Sequence, residues 1–232
     1  YLRDRARELL SLMEKTESVL KNEGEQLAGE IHIGCAESKI MDFITKVFAD
    51  LRKKHPAISL HLVSGDADSV MRLMDEGVVD AGILLGPVTY ENYDYFDLKQ
   101  KETFGVLVPK NDPLASKTAL TIDDISKLPL IISEQTYKEK HTFAIDTIRL
   151  KEFNIVGTYN LVHNATYMVE NHIGYALCLN NLVNTSGRNL KFIPLSKELS
   201  VEVNLVTKKY QSFSPATRAF LKLLKESVLE NN

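Results

Sequence analysis

Pro56-Ala57-Ile58-Ser59-Leu60-His61-Leu62-Val63-Ser64-Gly65, followed by Val70, Leu73, Met74, Gly77 and then Val79-Asp80-Ala81-Gly82-Ile83, decides the fold class. The stretch reads as strand, loop, helix, turn, strand. Ile58, Leu60 and Leu62 alternate on one face, the period of a strand covered on one side. Val70, Leu73 and Met74 recur at helical spacing. Val78 to Leu85 is almost wholly apolar, so it is expected to be buried on both faces, as strands of parallel sheets are. Together these pieces predict one βαβ unit with a right-handed connection.

Outward from this unit the pattern repeats. Glu30-Ile31-His32-Ile33-Gly34-Cys35 alternates as a strand. A helix from Ile40 to His55 carries Met41, Ile44, Val47, Phe48 and Leu51 on one face, and Pro56 stops it. Gly86-Pro87 closes the strand at 78–85. Residues 90–100, with Tyr90, Tyr93, Tyr95 and Phe96, read as a loop and an edge strand, and Phe104 to Pro109 as a further strand. Thr121 opens a short helix that runs to Leu128.

A second, similar half is expected from Pro129. It holds a strand at Leu130–Ser133, a helix over about 138–151 and a strand from Val156 to Val162. A helix from His163 to Asn171, a buried strand from Gly174 to Leu179 and an edge strand at 190–195 follow. Val201 to Val206 alternates and returns the chain. Ser214-Pro215 places an N-cap before a first-turn proline, and the last helix buries Phe220, Leu221, Leu224 and Val228. The strands at 103–109 and 201–207 read as two crossovers between α/β halves. A cleft lined by the carboxyl ends of parallel strands is expected between them. The boundaries drawn are 1–28 for a linker helix, 29–128 plus 208–232 for the first half and 129–207 for the second.

Composition narrows the function. The 232 residues are 44% hydrophobic and 25% charged, an ordinary globular balance. A net charge of −3 gives the chain no electrostatic footprint for nucleic acid. No apolar run approaches the roughly 18 residues a membrane span needs. The charged N-terminus does not resemble a signal peptide, so a cytoplasmic location is expected and no membrane partner. Cys35 and Cys178 are far apart and adjoin small residues, which suits buried core positions; a redox-sensing pair is the sharper alternative. Residues 1–28 read as one helix. Its Leu2, Ala6, Leu9, Met13, Thr16, Leu20, Glu23 and Leu27 follow a coiled-coil 4-3-4-3 spacing, which predicts pairing with a second copy. Arg3, Arg5 and Arg7 read as a solvated basic turn.

No catalytic constellation is visible: no glycine-rich phosphate loop, no nucleophile elbow, no zinc-protease pair. His55, His61, His141, His163 and His172 are scattered without metal spacing, and His32 is expected outward or partly buried. No cofactor and no enzymatic activity are expected. What remains is binding. Glu37-Ser38-Lys39, Ser64-Gly65-Asp66, His163-Asn164-Ala165-Thr166 and Ser133-Glu134-Gln135-Thr136 each stand at a strand-to-helix junction. Each offers backbone N–H groups and short polar side chains, which suit an anionic group such as a carboxylate. Ordinary N-capping explains any one of them equally well. Glu37, Asp66 and Glu134 make the rim acidic, with Lys39 the compensating cation.

Five phrases in order carry a family resemblance. They are Gly29-Glu30-Ile31-His32-Ile33-Gly34, the run from Val106 to Ala115, Met168 to Leu177, Ser214 to Leu221, and the helix over 1–27 that leads into them. Together they resemble the effector-binding domain of LysR-type transcriptional regulators with part of its linker helix. His172 and Leu179 depart from the family's usual Gly and Pro. The resemblance implies an α/β fold of two Rossmann-like lobes joined by two crossovers, of the type II periplasmic-binding-protein-like kind, preceded by the linker helix. It implies that a small metabolite, an organic acid by the junction chemistry, binds at the junctions named above. It also implies self-association as a dimer or tetramer. DNA contact would fall to a winged helix-turn-helix ahead of Tyr1. A transporter's solute-binding protein is the alternative on the same architecture.

Overall fold

The computed structural model describes residues 6, 9–10, 13, 26–86, 91–138, 153–196 and 199–230. Most of the coiled-coil repeat and the helix expected over 138–151 lie outside these residues. The described positions Ala6, Leu9, Leu10 and Met13 are helical and exposed. The chain divides into two compact units. The first holds residues 1–36, 40–100 and 203–232; the second holds 37–39 and 101–202.

In the first unit, β1 (Gly29–Cys35) runs parallel to β2 (Ile58–Ser64) along its whole length and to β3 (Ala81–Leu85) at its end. β3 then pairs antiparallel with β9 (Ser200–Lys208). Helices α1 (Ile40–Lys54) and α6 (Pro215–Glu230) cover one face. Their Ile44, Leu51, Phe220 and Leu224 pack with Ile31, Ile33 and Ile83 of the sheet. Each such side chain contributes about 1.5–3 kcal/mol on burial. Helix α2 (Ala67–Asp75) covers the other face, where Val70 and Met74 meet Leu84 and Val206. Gly34 is what lets α2 lie close: a Cβ there would stand 2.6 Å from Val70 Cγ1. The βαβ unit is therefore present, and β3 is buried but for Leu85. It starts at Ala81 rather than Val78, because the Val78 and Val79 N–H groups still turn back to Leu73 O. Leu62 is exposed, and β2 is the edge strand of the sheet.

In the second unit, β5 (Pro129–Ser133) lies parallel between β6 (Asn154–Tyr159) and β7 (Tyr175–Leu179). β7 and β8 (Leu190–Pro194) both pair antiparallel with the second half of β4 (Tyr93–Pro109). Helices α3 (Ile122–Ser126), α4 (Glu134–Lys138) and α5 (Val162–Glu170) complete it. Val106, Val108, Leu130, Ile132 and Ile193 form one core with Ile125 of α3. Leu107, Ile131, Ala165 and Val169 form the other.

Two expectations change. Residues 93–109 are one 17-residue strand, not a loop and two strands. The boundary between units falls inside it, at Gln100/Lys101, and inside β9, at Glu202/Val203. Residues 101–128 thus belong to the second unit, because Val106, Val108, Leu120 and Ile125 bury themselves in its core. The chain does cross twice, on β4 and β9. Thr121 opens α3 with a capping box, and Ser214 accepts from the Thr217 N–H at 3.1 Å ahead of Pro215, as their sequence signatures indicated. His172 takes φ of 59°, so the left-handed turn survives without its usual glycine.

Candidate functional site

In the first-unit junction, Ser64-Gly65-Asp66, the Asp66 carboxylate and the Gly65 N–H are both paired within the unit, and Ser64 is exposed. The Asp66 carboxylate accepts the Ser69 N–H at 2.9 Å, and the Gly65 N–H donates to Cys35 O at 3.0 Å. Asp66 is thus the N-cap of α2. These atoms do the ordinary work of ending a helix.

The other junctions belong to the second unit. Ser133 Oγ accepts from the Thr136 N–H at 3.1 Å and donates to Thr136 Oγ1 at 2.6 Å, so this pair also closes on itself. Gln135 is half-buried on the same short helix, and Thr136 is buried. On α5, Ala165 is fully buried among Leu107, Ile131 and Val169. Thr166 is buried too; its hydroxyl donates to His163 O at 2.6 Å and accepts from Arg188 at 2.8 Å. His163 and Asn164 are exposed. Of the α5 junction, therefore, His163 and Asn164 present side chains, while Ala165 and Thr166 serve the core.

Glu37-Ser38-Lys39 differs from all of these. The N-cap residue of α5 is Leu161, which makes no side-chain capping hydrogen bond. The Val162 N–H instead reaches the Glu37 carboxylate at 3.4 Å, 125 residues away in sequence. A carboxylate thus already stands where the positive end of the helix attracts one. Beside it, Ser38 is 7% exposed and its Oγ has no hydrogen-bond partner among the described residues. A buried hydroxyl left unpaired costs about 1–3 kcal/mol, and the described residues supply Ser38 Oγ no partner. Lys39 is exposed next to it.

Two titratable groups of the second unit are held in their protonated forms. Burial, chiefly, then Cys178 and Glu37, push the Tyr159 phenol well above its ordinary range, and its hydroxyl donates to Leu177 O at 2.8 Å. Burial pushes the Cys178 thiol up to about 12. Cys178 is thus held as a thiol rather than as the reactive thiolate. Cys35 is likewise buried and forms no disulfide among the described residues. Arg188, which sequence reading missed, braces α5: it grips Glu170 at 2.7 and 3.0 Å, bonds Thr166 and lies over the Tyr167 ring. The Arg188 hydrogen bond holds the Glu170 carboxyl below its usual range. Only a lone Arg after Ser186-Gly187 marked it in the sequence. Among the described residues no helix is long and apolar enough to cross a membrane.

Comparison with known proteins supplies the family. The LysR substrate binding domain profile matches residues 24–229. The uncharacterized HTH-type transcriptional regulator YvbU of Bacillus subtilis is 27% identical over 224 residues, covering 95% of this chain and 75% of that protein. The effector-binding domain of QuiR in complex with shikimate has a TM-score of 0.74 at 17% identity, covering 88% of this chain and 98% of that one. The Synechocystis PCC6803 CcmR regulatory domain in complex with 2-PG has a TM-score of 0.70 at 14% identity, covering 86% and 97%. The fold is the type II periplasmic-binding-protein-like α/β fold. Regulators of this family bind small-molecule effectors and act as oligomers. With the profile spanning almost all of the described sequence, this chain belongs to the LysR substrate-binding domain family.

Proposed function

We propose that this chain senses a small organic acid through the Glu37-Ser38-Lys39 loop and the amino end of α5, and that occupancy regulates transcription by the protein of which it forms part. The observation that carries the reading is the buried Ser38 hydroxyl, without a partner among the described residues, beside a helix end held by Glu37. A ligand hydroxyl or carboxylate satisfies Ser38 Oγ and competes with Glu37 for the Val162 N–H. Lys39 offsets the added negative charge. Exposed His163 and Asn164 supply the remaining polar contacts. A ligand that prefers one of two arrangements of this loop shifts the population toward it, which is all that sensing requires.

Family membership selects a regulator over a transporter's solute-binding protein. The shikimate and 2-PG held by QuiR and CcmR support a small-molecule ligand. A bacterial regulator related to YvbU would work in the cytoplasm, as a dimer or tetramer, and would reach DNA through a separate winged helix-turn-helix. A thermal-shift screen of organic acids tests the proposal. A ligand at a hundred times its dissociation constant stabilises by about 2.7 kcal/mol. Calorimetry on wild type, Ser38→Trp and Lys39→Ala then locates it: unchanged affinity in both variants places the ligand elsewhere.

A further inference from the structure

The sequence reading found no metal spacing among the histidines, because the relevant pair is joined by strand register rather than by chain order. In the β1–β2 ladder His32 is directly opposite His61. Their rings stack with centroids 4.6 Å apart and planes 14° from parallel. Glu30, two residues before His32 and hence on the same face, brings its Oε2 within 3.7 Å of His32 Nε2 and 3.8 Å of His61 Nε2. One ligand atom from each residue lies within 4.8 Å of the other two.

We propose that Glu30, His32 and His61 form a binding site for a divalent transition-metal ion of the zinc class. Bonds of about 2.0–2.2 Å from a tetrahedral ion set its ligand atoms about 3.3–3.5 Å apart. The two carboxylate–imidazole separations lie a few tenths of an ångström outside that spacing, and a tilt of the stacked rings brings the nitrogen lone pairs together. Two imidazoles and one carboxylate leave a position open for water or a further ligand, and imidazole favours zinc, nickel and copper over magnesium.

The backbone under this site is held firmly. The His32 N–H donates to the Asp80 carboxylate at 3.0 Å, and His32 O accepts the Asp80 N–H at 2.7 Å. Asp80 is itself buried and accepts from Thr217 at 3.3 Å. The ligands are nevertheless open to solvent, with side-chain exposures of 65% for Glu30, 35% for His32 and 46% for His61. The site occupies the amino end of β1, away from the Glu37-Ser38-Lys39 loop that follows the strand's carboxyl end. It is independent of the proposed effector contacts.

The test is calorimetric titration of the chelator-treated full chain, prepared without a polyhistidine tag, with Zn2+ and with Mg2+. Zn2+ is expected to bind one per chain and to raise the melting temperature, with Mg2+ doing neither. His61→Ala and His32→Gln each weaken Zn2+ by at least about tenfold, since loss of even an outer partner of a metal ligand costs about 10–100-fold. Glu30→Gln weakens it as well, and His172→Asn binds as wild type. His61 and Glu30 are exposed, so their replacement spares the core; the melting temperature without metal checks that. Absence of one-to-one Zn2+ binding overturns the proposal. So does equal binding by wild type, His61→Ala and Glu30→Gln.

Discussion

Two loops of this molecule do the same topological job and end differently. Each leads from a parallel strand to a helix: Glu37-Ser38-Lys39 from β1 to α1, and Ser64-Gly65-Asp66 from β2 to α2. Both carry a carboxylate and a serine hydroxyl. In the second loop the carboxylate caps its own helix, the glycine N–H is taken by Cys35 O, and the Ser64 side chain is exposed to solvent. In the first, the carboxylate serves another helix end, and a buried hydroxyl has no partner among the described residues. A capped helix end spends its polar atoms on itself, whereas the loop proposed to bind the effector holds a buried hydroxyl whose lack of a partner among the described residues costs about 1–3 kcal/mol. Residue type does not separate the two; the hydrogen-bond account does.

The sharpest way to break this comparison is to fill the first loop. Ser38→Trp is expected to abolish effector binding, a loss of a hundredfold or more, equivalent to at least about 2.7 kcal/mol. Asp66→Ala should leave affinity within twofold. Calorimetry on both variants decides; matching losses would mean that the two loops do not differ in function. Lys39→Ala comes next. Because Lys39 is exposed, its charge-assisted contact is expected to contribute about 1 kcal/mol to an anionic ligand, at the low end of such bonds, and nothing to a neutral analogue. A neutral analogue that weakened equally would remove Lys39 from the site.

Stability should move the opposite way. Asp66→Ala deletes an N-cap and is expected to cost about 1 kcal/mol of folding free energy. Ser38→Ala deletes an orphaned buried hydroxyl and leaves stability unchanged or higher, while weakening the ligand by about 1 kcal/mol. Urea midpoints with constant m-values read the first effect and calorimetry the second. If Ser38→Ala destabilises as much as Asp66→Ala, Ser38 is a cap after all.

The sequence made one half of this picture legible. Period-two and helical spacing located β1, α1, β2 and α2, and Ser214-Pro215 and Thr121 marked the starts of α6 and α3, because these signals are local. The division at Gln100/Lys101 was not legible: the run from Tyr93 to Pro109 changes its burial pattern mid-strand, and only its partners show that it is continuous. The junctions were found, but all four looked alike. Separating Ser38 from Ser133 required knowing that Thr136 satisfies one and that no described residue satisfies the other. His32 and His61 stand 29 positions apart, so only the β1–β2 register could join them.

The smallest expected effect concerns a cap that, unlike Ser38, is fully satisfied. At the start of α3, Asp124 accepts from Lys117 at 2.7 Å, and from both the N–H and the hydroxyl of Thr121 at 2.9 Å. These bonds, that from Lys117 first, lower its carboxyl from 3.8 to about 2. A depressed folded-state pKa means that the charged carboxylate supports the folded state above the unfolded value and loses that support as pH falls through the folded one. The contribution is therefore complete above about pH 4 and fades toward pH 2. Since the group is exposed, solvent and salt keep it small. Asp124→Asn should lower the urea midpoint slightly at pH 5, and the gap to wild type should close by about pH 2. Neutral, protonated Asp124 and Asn are then nearly alike. A gap that persists unchanged to the acid end would show that geometry rather than charge stabilises this helix start. The satisfied cap would then differ from the Ser38 loop only in packing.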